Sequence, residues 1–202
     1  MYAIVEDNNI TKFINHPKSL VIGDVRYPAK IFQLWSSSEL NAIGIYEVVF
    51  DDSNKKDEKW YINTNQSYDF DGNEVTASYG TATPKAHADS NAVDDDGNNL
   101  LDEDGNQVIN YGLKTQLIKT LKEQVAGILS DTDWYITRNT EKSTAIPSAI
   151  STHRDAVRTK QASMEIAITN ASDTRALETL YTYTTTDGVQ SRPLGELPTL
   201  ES

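Results

Sequence analysis

The 202-residue chain contains no cysteine. Disulfides, thiolate metal sites and thiol nucleophiles are thereby excluded, and the composition suits a reducing compartment. Long apolar runs are missing as well. No stretch approaches the roughly 18 to 20 apolar residues that span a bilayer. Met1-Tyr2-Ala3-Ile4-Val5-Glu6 has neither the basic start nor the apolar run of a secretory signal. The chain is expected to be soluble, made in a cytoplasm, and not inserted into membranes. Positive charge is scarce too: 18 Lys and Arg stand against 30 Asp and Glu, a net charge of −12. Such a surface repels phosphate backbones unless cations gather locally. The densest basic stretch, Arg154, Arg158 and Lys160, has Asp155 in its midst. Nucleic acid is therefore not an expected partner.

The usual signatures of chemistry are also missing. There is no G-x-S-x-G, no G-x-x-x-x-G-K-[ST], no H-E-x-x-H and no G-x-G-x-x-G. The three histidines, His16, His87 and His153, are far apart in sequence and form no metal-spaced pair. The acidic run Asp94-Asp95-Asp96-Gly97-Asn98, followed by Asp102-Glu103-Asp104, invites comparison with a calcium loop. Placing Gly97 at the sixth position of an EF-hand loop puts Asp94 third, Asp96 fifth and Glu103 twelfth. The first position is then Ala92, which cannot ligate, so the motif fails. No catalytic, cofactor-binding or metal-binding residue is expected, and the protein reads as a non-enzyme.

The residues that are present divide by period. Tyr2-Ala3-Ile4-Val5 is a short apolar run, Asp7-Asn8-Asn9 a turn, and Ile10 to Ile14 its hairpin partner. Ser36, with Glu39 three residues later and Gly44 beyond, marks a short capped helix before the strand Ile45 to Phe50. Asp-Gly-Asn steps at 71–73, 96–98 and 104–106 are tight-turn signals, the last joining Asn99-Leu101 to Gln107-Ile109. From Gly112 the period becomes helical: Leu113, Leu117, Ile118, Leu121, Val125, Ile128 and Leu129 share one face. A second helix starts near Asp131 or Thr132 and a third near Pro147. Ser172-Asp173 caps a last one.

The fold expected is α+β. A β-rich domain covers 1–78 and an acidic linker with a hairpin covers 79–111. A module of two to four helices covers 112–183, and an extended tail covers 184–202. The module's core is expected to be Leu117, Leu121, Val125 and Ile128, with Trp134 folded back on it. The third helix carries Ile150, Arg154, Val157, Gln161, Met164 and Ile168 at heptad spacing. Because polar residues interrupt this stripe, it is expected to remain partly open and to dock a partner.

Two stretches carry a resemblance. One is Arg26-Tyr27-Pro28-Ala29, Phe32, Leu34-Trp35-Ser36, Glu39-Leu40 and Ile43-Gly44-Ile45-Tyr46-Glu47-Val48. The other runs from Ile128 to Arg138 with its L-x-x-T-D-W step, and continues from Ala145-Ile146-Pro147 to Arg158. Together they cover about half the chain. They resemble the tail assembly chaperone and tail-fibre assembly proteins of tailed bacteriophages, whose module also occurs on tail-associated proteins of marine and cyanobacterial phages. This chain has His153 where that pattern has Tyr before the arginine. The resemblance implies a structural component of the tail, baseplate or tail-fibre attachment, residing in the virion tail. Its implied partners are other tail, baseplate or fibre subunits, met in an oligomeric assembly. A transient assembly chaperone is the alternative within that class. Outside it stands a receptor-facing carbohydrate binder or polysaccharide hydrolase, for which Trp35, Trp60, Trp134 and the ten tyrosines would supply stacking faces.

Overall fold

The computed structural model describes residues 1–200 and is mixed α+β. The chain forms two compact units, Met1–Thr83 and Pro84–Ser202.

The first unit is built on a curled five-stranded sheet. Strands β1 (Tyr2–Glu6) and β2 (Asn9–Ile14) form the expected hairpin, with Asp7 and Asn8 both at positive φ in the turn. That backbone suits the right-handed twist of the strands it joins. A small ribbon of β3 (Leu20–Ile22) and β4 (Val25–Tyr27) follows, then α1 (Ile31–Leu34) and α2 (Ser37–Asn41). Strand β5 (Ile45–Asp51) is next. After the two-residue β6 (Tyr61–Ile62) come β7 (Gln66–Phe70) and β8 (Val75–Tyr79). The order is β2-β1-β5-β8-β7, antiparallel except for the β5–β8 pair. Phe13 of β2 and Tyr68 of β7 have ring centroids 4.4 Å apart, so the two outer strands nearly close on each other. Strand β9 (Thr83–Pro84) straddles the end of the unit.

Closure gives this sheet two apolar faces. Ala3, Val5, Val48, Val75 and Ala77 pack together on one face, where small residues suit the tight curvature. Ile4, Ile14 and Ile45 pack on the other, under Ile31, Phe32 and Leu40 of the helices. The central run Ala3-Ile4-Val5 is buried on both sides, which is why it reads as continuous rather than alternating. Ser36 and Glu39 form a complete capping box, with the Ser36 N–H donating to Glu39 Oε2 at 2.8 Å. Those hydrogen bonds, first the Ser36 backbone N–H and then its hydroxyl, hold the Glu39 carboxyl below its ordinary range. Gly44 has φ +80, and a Cβ there would lie 2.7 Å from the Val5 carbonyl oxygen. Only glycine lets α2 turn so tightly into β5.

The second unit begins with a segment expected as an acidic linker. It is instead a three-way junction of hairpins. Asp94 to Leu101 and Asp102 to Ile109 are successive octads of the form D-x-D-G-N-x followed by two apolar residues. In each, the first Asp accepts from backbone N–H groups two and four residues on, and Gly97 and Gly105 take φ +83 and +81. Val93 bridges Asn99, Leu101 bridges Gln107, and β10 (Ser90–Asn91) pairs with β11 (Ile109–Asn110). At the centre the backbone closes a ring. The Ala92 N–H donates to the Val108 carbonyl, Val108 to Leu100, and Leu100 to Ala92, at 2.8 to 2.9 Å. Residues eight apart therefore meet because the octads are equivalent.

The junction leads directly into α3 (Leu113–Ser130). The Leu113 and Lys114 N–H groups donate to the carbonyls of Ala86 and His87, and Gly112 N–H donates to Asp89 at 2.8 Å. The otherwise unpaired N–H groups of the helix start are thus satisfied by chain some 25 residues upstream. Then follow α4 (Asp133–Lys142), α5 (Ser148–Asn170) and α6 (Thr174–Tyr181), the last capped by Asp173 as expected. Helices α3 and α5 run antiparallel. Lys114 Nζ reaches the Thr169 carbonyl at one end, and Arg154 reaches the Leu129 carbonyl at the other. The tail is not simply extended. It holds the hairpin β12 (Thr184–Thr186) and β13 (Val189–Ser191), then buries Leu194, whose N–H donates to the Leu180 carbonyl. The last two residues of the expected tail lie outside the described residues. Among those described, no helix is long and apolar enough to cross a membrane.

Candidate functional site

The heptad stripe of α5 is not an open docking face. Val157 and Ile168 are fully buried, and Ile150, Arg154 and Met164 nearly so. The chain covers them itself, chiefly with α3 and α6. The interruptions that suggested a missing partner are satisfied internally. Arg154 Nη1 donates to the Leu129 carbonyl and to Thr132 Oγ1, both at 2.7 Å, and Nη2 to Asp133 Oδ1 at 2.8 Å. Half-buried Gln161 donates to Glu165 at 2.7 Å, and Glu165 lies 3.8 Å from Lys122 on α3. A guanidinium buried this deeply needs such a set of oxygen acceptors, and the end of α3 with the start of α4 supplies it. His153 is buried beside it, facing Ile128 and Thr132 and the returning tail at Leu197 and Pro198.

The expected core of α3 is half right. Leu121 and Val125 are buried, together with Leu113, while Leu117 and Ile128 are only half-buried. Trp134 departs furthest from expectation: it does not fold back on α3 but stays 50% exposed. The reason is local. Arg154 holds Thr132 in the interior and pairs with the exposed Asp133, and Trp134, two residues after Thr132, points about 200° further round. Trp134 stacks on Tyr135 with centroids 3.8 Å apart. The Arg138 guanidinium sits 4.6 Å from the Trp134 ring and 5.3 Å from that of Tyr135. Helix α4 has no buried residue, and Ile136 is also exposed. Its Arg138 Nε is enclosed by its neighbours yet has no acceptor. An amphipathic stacked cluster of Trp, Tyr and Arg on an otherwise unburied helix is the feature that sequence reasoning missed. Its signal was the i, i+4 pair Trp134–Arg138.

The other two tryptophans pack within the first unit, whereas Tyr111 is 62% exposed. Trp60 is buried, and Trp35 meets Tyr27 edge-on at 5.8 Å. Of the first resembling stretch, Phe32, Leu40, Ile45 and Val48 enter the core of the first unit, while Leu34 is exposed. The carboxylates of Asp71, Asp94 and Asp102 are each held below the ordinary aspartate range. The first cause in every case is a backbone N–H, from Glu74, Asn98 and Asn106 respectively. They are turn formers in water. Among the described residues no group of three His, Asp or Glu is placed to hold a metal ion.

Comparisons of the chain with protein-family models, with curated proteins and with solved structures find no match. The resemblance to phage tail assembly proteins accordingly rests on the residues quoted above.

Proposed function

We propose that the protein is a non-enzymatic bacteriophage tail component, a structural subunit of the tail, baseplate or fibre attachment. On this reading it docks neighbouring subunits through the outer face of α4. One observation carries the reading. In the L-x-x-T-D-W segment, the backbone of Leu129 and the side chains of Thr132 and Asp133 are consumed by Arg154, and the aromatic residue is left outside. A packing motif would bury its tryptophan. A motif that spends its polar members on rigidity and presents Trp134, Tyr135 and Arg138 has the residue types that dominate interface energetics. The cluster is also preorganised by its own stacking, which lowers the entropy lost on docking.

The test is genetic and biophysical together. Trp134→Ala and Arg138→Ala should leave the melting temperature of the purified protein within a few degrees of wild type, because surface substitutions typically change stability by less than about 0.5 kcal/mol. In the phage that encodes the protein, the same changes should reduce its incorporation into tails, read by quantitative mass spectrometry of purified particles. Wild-type incorporation of both variants would refute the docking face. Loss of assembly with the wild-type protein absent from finished particles would move the role to a transient chaperone.

A further inference from the structure

We infer that the cavity between the end of α3, the start of α5 and the returning tail binds a primary ammonium group on an aliphatic stem. His153 carries the inference. It is only 9% exposed, yet among the described residues its imidazole meets no hydrogen-bond partner. Buried polar side chains are nearly always paired, and one that is not marks a place where something else supplies the partner. The imidazole lines two cavities, of about 260 and 450 Å³, which also share Pro198, Thr199 and Leu200 of the tail. Among the described residues, Leu197 to Leu200 form no hydrogen bond, so this cover can yield as a ligand enters.

The lining of the smaller cavity selects the ligand. Ile128, Leu197, Pro198 and Leu200 offer apolar surface to an alkyl stem. Its polar members are not equally available. The Thr132 hydroxyl is spent, donating to the Leu129 carbonyl at 3.1 Å and accepting from Arg154. The charge of Arg154 is matched by Asp133 at 2.8 Å. Asp131 has no such cation: among the described residues its carboxylate forms neither an ion pair nor a hydrogen bond. A carboxylate only accepts, an uncharged imidazole keeps one accepting nitrogen, and an ammonium brings three donors.

The helix ends agree on where the charge goes. Asp131 is the C-cap of α3, where the negative end of the helix dipole favours a cation. The larger cavity includes Ser148 and Ala149 at the positive start of α5, so the ammonium belongs in the smaller one. A net charge of −12 also gathers cationic ligands around the chain. The ammonium can come from a free alkylamine or from a lysine side chain of a neighbouring subunit.

Titration of the full chain, followed by nuclear magnetic resonance at the His153 ring and the Thr132 amide, tests this. n-Butylammonium should shift both signals and saturate with a dissociation constant of about 1 mM, as fits so small a ligand. Butan-1-ol and butyrate should bind about tenfold more weakly or not at all, because neither brings a cationic donor. Asp131→Asn alters an exposed side chain, should fold as wild type, and should weaken n-butylammonium about tenfold. The peptide acetyl-Gly-Lys-Gly-amide separates the two sources. Binding as tight as that of n-butylammonium assigns the group to a partner's lysine, and exclusion of the peptide while n-butylammonium binds assigns it to a free amine. No saturable shift at many times the expected constant overturns the proposal and leaves the cavity to water. So does equal binding of butan-1-ol, or an Asp131→Asn variant that binds like wild type.

Discussion

Arg154 and Thr132, twenty-two residues apart, are joined by a 2.7 Å hydrogen bond that is buried on both sides. The same guanidinium bridges α3, α4 and α5 through Leu129 and Asp133. Removing it strips the Leu129 carbonyl and the Thr132 hydroxyl of their charged donor, leaving only the 3.1 Å bond between the two, and opens a void where the side chain lay. Arg154→Ala should therefore destabilise the helical unit by about 3 kcal/mol. Arg154→Lys should recover only part of this, since one ammonium cannot reproduce the planar fork. Urea melts followed at the helical signal measure both, and a wild-type midpoint for Arg154→Ala would refute the bridging role.

Val157 and Met164 are interior. Val157→Asp and Met164→Asp place a carboxylate where no partner waits, and each should melt the isolated protein at least as severely as Leu121→Ala, for which about 2 to 5 kcal/mol is typical. Folded, soluble variants with wild-type melts would mean that the stripe is open after all.

Asp89 holds the start of α3 through Gly112 N–H and Thr115 Oγ1, both at 2.8 Å. Asp89→Ala should cost about 1 kcal/mol, as the loss of an N-cap does. Hydrogen exchange would show the loss first at the amides of Gly112 to Thr115, and unchanged protection there would exclude the capping role.

Gly44→Ala must tolerate positive φ and a Cβ pressed against the Val5 carbonyl. The expected penalty is about 1 to 3 kcal/mol. It should appear as a lower melting temperature in the β signal of the isolated chain.

Asp94 and Asp102 bind backbone N–H groups as carboxylates, which depresses their folded-state pKa. A group depressed on folding contributes stability that is present above its unfolded value, about 3.9 for aspartate. That stability is lost as pH falls through the lower folded value. The amide shifts of Asn98 and Asn106 should thus hold steady from neutral pH to about pH 4 and move only below it. Asp94→Ala with Asp102→Ala should abolish that acid transition, and a transition centred near neutrality would contradict the assignment.

The local elements were legible because their signals are short-range. Asp7-Asn8 turns, Ser36 and Glu39 cap, Asp173 caps, and the apolar period of α3 shows its helix, all through contacts within a few residues. The octad repeat from Asp94 to Ile109 was equally visible. It was read as separate turns because the eight-residue spacing matters only when Ala92, Leu100 and Val108 close their ring. What the sequence could not decide was coverage. A heptad stripe such as Ile150 to Ile168 demands an apolar partner, but periodicity says nothing of whether that partner lies in another molecule or in α3 and α6. Arg154 looked like a flaw in a core and became its centre, because burial of a guanidinium depends on where distant carbonyl and hydroxyl oxygens come to rest. Trp134 is the converse. Its hydrophobicity favours the interior, and the burial of Thr132 against Arg154 turns it to the surface.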